Sequence, residues 1–148
     1  MIKSEIYQKS VRAIRFLFYK DISVHDQISI TKVLDENLLL IFWQLKKEDR
    51  AHSLEVMNRM KMLSTIKNMH KLALIHDIGK VHSDIGWLGR IFADMGFNKS
   101  INAKKYKDHE KIGQVLLMNN KTITNKDIKL YIDHLITDRH QLLERCDY

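Results

Sequence analysis

Residues 72–80 read Leu-Ala-Leu-Ile-His-Asp-Ile-Gly-Lys. Four apolar residues run into two side chains able to ligate a metal, His76 and Asp77. Gly79 follows, a residue that takes positive φ without steric cost and so commonly ends a helix. The stretch predicts a buried helix that stops at a candidate metal site. Neighbouring helix positions point about 100° apart. His76 and Asp77 therefore converge on one ion only where the last turn departs from helical geometry. Taken alone, the pair also fits a histidine resting on the negative end of a helix dipole beside a solvated aspartate.

The rest of the chain supports the helical reading. Its 148 residues contain no proline and five glycines. Four of the glycines, Gly79, Gly86, Gly89 and Gly96, fall close together. Few chain breakers among many Leu, Ile, Met and Lys residues predict an all-α fold, and no segment alternates with period two. No internal repeat or flexible linker divides the chain, so it reads as one domain over 1–148. Helices are predicted over residues 4–19, 35–45, 48–62, 64–76, 83–95, 105–118, 125–137 and 138–146. A polar stretch at 21–27 breaks the first from the second. Asp35 is the expected N-cap of the second helix, Ser64 or Thr65 of the fourth, and Thr124 or Asn125 of the seventh. Met57, Met60, Met62 and Met69 read as core filler, and Trp43 and Trp87 as core anchors.

Hydrophobic residues at 45% and charged residues at 29% fit a soluble globular chain. No apolar run is long enough to span a bilayer, and no signal-peptide pattern opens the sequence. A single cysteine, Cys146, excludes an internal disulfide, and the expected location is the cytoplasm. The formal net charge of +7 favours anionic partners: phosphorylated small molecules, nucleic acid or acidic membrane surfaces. The lysines are spread evenly and no basic motif is interleaved with aromatics, so a nucleic-acid partner is not favoured. Oligomeric state is not legible, although Phe16, Phe18 and Tyr19 offer an apolar helix face to a partner.

Other chemistry-bearing residues recur in order along the chain. His52 stands in Asp49-Arg-Ala-His-Ser-Leu-Glu-Val56, far enough before His76 for a helix, a turn and an antiparallel return. His109 stands in Lys107-Asp-His-Glu-Lys-Ile-Gly113, His134 in Ile132-Asp-His134, and Asp147 in Gln141-Leu-Leu-Glu-Arg-Cys-Asp147. Imidazole nitrogen together with carboxylate oxygen, as in the His76–Asp77 pair, suits a divalent transition metal (Mn, Fe, Co, Ni or Zn) better than Mg or Ca. His109 lies in a polar stretch that also fits plain exposure, and His134 has apolar neighbours that also fit a core histidine. Asp147 is penultimate, where chain ends commonly fray; Asp133 and Asp138 are its substitutes. His25, His70, His82 and His140 read as surface or packing residues.

In this order and spacing, residues 49–147 resemble the HD superfamily of metal-dependent phosphohydrolases, whose ligands are a histidine, a His-Asp doublet and a distal aspartate. Gly86-Trp-Leu-Gly-Arg90 is similar to the segment that follows the doublet in small members. The chain departs from the pattern in lacking the proline of the family's His-Pro-Glu-Ile-Gly element and in placing Asp133 where a histidine is usual. The resemblance implies a compact multi-helix HD-domain bundle, with lead-in helices over 1–48 and a metal-binding core over 49–148. It implies a metal site of His52, His76, Asp77 and Asp147, with His109 and His134 as further ligands if a second ion binds. Asp77, Lys80 and His109 are the candidate catalytic residues, and Arg90 a further phosphate contact. The implied activity is hydrolysis of a phosphoester or nucleotide through a metal-activated water. The alternatives are a catalytically weak HD-fold module that binds nucleotides for regulation, and a basic nucleic-acid-binding helical domain.

Overall fold

The computed structural model describes residues 20–83, 100–101, 104–105 and 108–148. The helices expected over 4–19 and 83–95, with Phe16, Phe18, Tyr19, Trp87 and Arg90, lie outside the described residues apart from Ser83, as does Lys107. Among the described residues every regular element is helical, and the fold is all-α. In chain order the helices are α1 (Val24–Thr31), α2 (Glu36–Phe42), α3 (Lys47–Leu63) and α4 (Lys67–Ile75), then a 3-10 turn (Ile78–His82). There follow α5 (His109–Asn119), α6 (Asn125–Tyr131), a π-helical segment (Ile132–Thr137) and α7 (Gln141–Cys146).

Residues 20–23 are non-helical, within the break expected over 21–27, but helix α1 shortens that break by starting at Val24. Ser23 Oγ accepts the Asp26 N–H and donates to Asp26 Oδ2 at 2.7 Å, so the polar residues cap a helix start. Asp35 caps α2 and Thr124 caps α6, as their positions predict. For α4 the N-cap position falls to Ile66, with no side-chain cap; Ser64 Oγ instead takes the Ile66 N–H two residues earlier.

The centre of the fold is the α3–α4 hairpin. His52 near the start of α3 and His76 at the end of α4 meet with ring centroids 5.7 Å apart, which requires the two helices to run antiparallel. Val56, Met57 and Met60 of α3 and Leu72, Ala73 and Ile75 of α4 belong to one cluster of buried apolar residues, joined by Leu38, Phe42, Leu117 and Leu143. Met62 does not join them and stands 79% exposed, because two residues beyond Met60 on a helix is the opposite face. Trp43 is half-buried, edge-on to Phe42.

Helix α6 is fastened to α4 by Lys71 Nζ, which donates to Asp127 Oδ1 at 2.7 Å. Helix α5 lies directly on the 3-10 turn. A Cβ at Gly79 would collide with the His109 carbonyl and the Gly113 nitrogen, and one at Gly113 with the Tyr131 hydroxyl. Gly79 thus serves a different purpose from the one expected. It sits inside the 3-10 turn with its backbone outside the left-handed region, and what it provides is room for α5.

Candidate metal centre

His76 is the C-cap of α4 and fully buried. Its Nδ1 donates to the Ala73 carbonyl at 2.8 Å, an acceptor that fixes the tautomer and leaves the Nε2 lone pair for another partner. Nε2 has no hydrogen-bond partner among the described residues, an expensive arrangement for a buried polar atom. It faces Asp77 Oδ2 at 3.6 Å and Asp147 Oδ1 at 3.7 Å. His52, equally buried on α3, brings its Nε2 to 2.9 Å from the same Asp147 oxygen.

One donor atom from each of His52, His76 and Asp147 lies within 4.8 Å of the others. Ligands held about 2.1 Å from a single ion are themselves roughly 3–4 Å apart. Asp147 Oδ1 lies at 2.9 Å from His52 Nε2 and 3.7 Å from His76 Nε2, within or close to that range, so the three donors form a candidate site for one ion. Two imidazoles and a carboxylate fit a divalent transition metal.

Asp147 is firmly placed in spite of its position in the sequence. As C-cap of α7 its N–H donates to the Leu143 carbonyl, and Arg139 Nη2 donates to its Oδ2 at 2.6 Å. Arg59 donates to the carbonyls of both neighbours, Cys146 and Tyr148, at 2.9 Å and lies over the Tyr148 ring. The substitutes are elsewhere: Asp133 pairs with Lys129, and Asp138 is exposed at the end of the π-helical segment.

Asp77 has left the helix, with φ −97° and ψ 9°. Lys80 Nζ reaches its Oδ2 at 2.5 Å and His109 Nε2 its Oδ1 at 3.0 Å. Burial alone would raise the Asp77 pKa, but the Lys80 ammonium, aided by His76 and His109, holds it well below the usual carboxylate range. Burial pulls the His76 pKa down, yet the Asp77 and Asp147 carboxylates outweigh it and hold the imidazole above its ordinary value. Lys80 is itself buried, so its charge serves Asp77 from inside the protein.

The structure thus gathers His52, His76, Asp77, Lys80, His109 and Asp147 into one neighbourhood. The His134 ring stands edge-on to His140, with centroids 5.1 Å apart, and the three donors grouped among the described residues are His52, His76 and Asp147. Sequence reasoning overlooked Arg139, Glu110 and Tyr131. The Tyr131 hydroxyl donates to the Glu110 carbonyl at 3.1 Å and lies 3.4 Å from that of His76, a position between the doublet's backbone and α5. Only the spatial meeting of α5, α6 and α7 reveals these three. Comparison with protein-family models, curated proteins and solved structures gives no match for the chain.

Proposed function

We propose that the chain is a metal-dependent phosphohydrolase of the HD type, acting on a phosphoester or nucleotide. The observation that carries this reading is His76 Nε2, a buried nitrogen with no hydrogen-bond partner among the described residues, facing the carboxylates of Asp77 and Asp147 beside His52. The order of these residues along the chain, which resembles that of the HD superfamily, adds the reaction class. A bound transition metal would supply Lewis acidity, lowering the pKa of a water and polarising a phosphoryl oxygen.

The chain's own residues fill the remaining roles. His52, His76 and Asp147 hold the ion. Asp77 orients His109 through the 3.0 Å contact to Nε2, and His109 would be the group that exchanges a proton with substrate. Lys80 neutralises Asp77 so that the buried carboxylate stays ionised. The net charge of +7 draws an anionic substrate to the site.

The engagement of both Asp77 oxygens by Lys80 and His109 favours one alternative, a centre that binds nucleotides with little turnover. The deciding experiment loads the protein with Mn2+ and offers a panel of phosphomonoesters, phosphodiesters and nucleotides. Hydrolysis abolished by His76→Ala supports the phosphohydrolase. Calorimetric nucleotide binding without product supports the regulatory module and overturns the enzyme.

A further inference from the structure

Arg139 lies in the short turn between the π-helical segment and α7. That turn is closed by the His140 N–H donating to the His134 carbonyl at 3.0 Å. π-helical segments concentrate at functional sites, because the widened turn redirects the chain that follows. Here the redirected residue is Arg139. One arm of its guanidinium donates to Asp147 Oδ2 at 2.6 Å and the other to Glu110 Oε1. Glu110 follows His109 in the first turn of α5. A single planar cation therefore spans the end of α7, which carries Asp147, and the start of α5, which carries His109.

The fork has a consequence for the metal donors. With Oδ2 held by Arg139, the oxygen that Asp147 turns toward His52 and His76 is Oδ1. We propose that Arg139 is a positioning residue that fixes Asp147 as a one-oxygen ligand and locks it to the helix bearing His109. This rests on the metal-centre reading above. Lysine cannot replace arginine here, since an ammonium carries the charge but not the rigid fork that holds two carboxylates in one plane. The neighbours that orient metal ligands typically contribute 10–100-fold in metal affinity.

The test is titration of the full chain with Co2+, followed by calorimetry and by visible absorption, comparing the parent with Arg139→Lys. The substitution conserves charge, so it leaves long-range repulsion of the cation unchanged and reads geometry alone. The expected result is an affinity loss of roughly tenfold or more, with altered Co2+ bands as Asp147 turns both oxygens to the ion. Loss of packing alone would lower the melting temperature and leave the bands unmoved. Unchanged affinity and bands overturn the proposal while the metal centre stands. A parent protein that binds no Co2+ overturns the centre itself, and the proposal with it. If Arg139→Lys fails to fold by circular dichroism, Glu110→Gln carries the test, because it loosens the fork without touching Asp147. Weaker binding then supports the role, and unchanged binding overturns it.

Discussion

Nε2 of His52 lies 2.9 Å from Oδ1 of Asp147, joining the first turns of α3 to the end of α7. The contact closes the molecule around the buried His76 ring and brings together the donors of the candidate centre. The same carboxylate oxygen faces the Nε2 atoms of both imidazoles, so a proton and a metal ion compete for the nitrogens around it. The first prediction follows from that competition.

In the metal-free protein the His76 pKa is raised, by carboxylates that outweigh burial. Its protonated form therefore contributes stability that is full below about pH 6.5, the unfolded value, and is lost as pH rises through the folded value. A metal must displace that proton. Binding at neutral pH should release protons, seen as a calorimetric enthalpy that varies with the ionisation enthalpy of the buffer, and affinity should fall as pH is lowered. An enthalpy independent of buffer would contradict this.

Lys80→Met should leave the buried Asp77 without its closest cation. Removing one partner of a buried ion pair costs about 3–5 kcal/mol, because the remaining charge is uncompensated. Urea denaturation at neutral pH should show that loss. The parent protein should also lose the Asp77 contribution as pH falls from about 4 downward, since its folded pKa lies well below the unfolded one. In Lys80→Met that acid dependence should be weaker. Equal stability of the two proteins would mean that the pair contributes nothing.

Gly79→Ala should destabilise the protein by roughly 1–3 kcal/mol, the usual cost of overpacking a tight contact. The obstacle is backbone: the added methyl would meet the His109 carbonyl and the Gly113 nitrogen, so α5 must move away from the 3-10 turn. Thermal melting measures the loss. Because α5 carries His109, the His109–Asp77 contact should loosen too, visible as a changed His109 imidazole shift by NMR. An unaltered melting temperature would show that α5 has slack there.

The sequence was most legible where local chemistry decides structure. Leu72 to Ile75 read as a buried helix and are one, and Asp35 and Thr124 announced their helices as caps. The helix at Val24–Thr31 was missed because capping residues look like loop residues until the Ser23–Asp26 hydrogen bonds are seen. Gly79 was noticed for the wrong property, since close approach by another helix leaves no mark in one sequence. The candidate donors were visible as an ordered series of histidines and aspartates. Arg139 was not, because its partners Glu110 and Asp147 come from separate elements and only the fold makes them neighbours.

The most direct test of the central claim, that His52, His76 and Asp147 form one transition-metal centre, is metal analysis of the purified protein after reconstitution with Mn2+, Co2+ or Zn2+. The parent should retain metal through extensive dialysis, and His76→Ala and Asp147→Ala should each lose it while keeping their helical circular dichroism. Metal retained equally by both folded variants, or by none of the three proteins, would contradict the account.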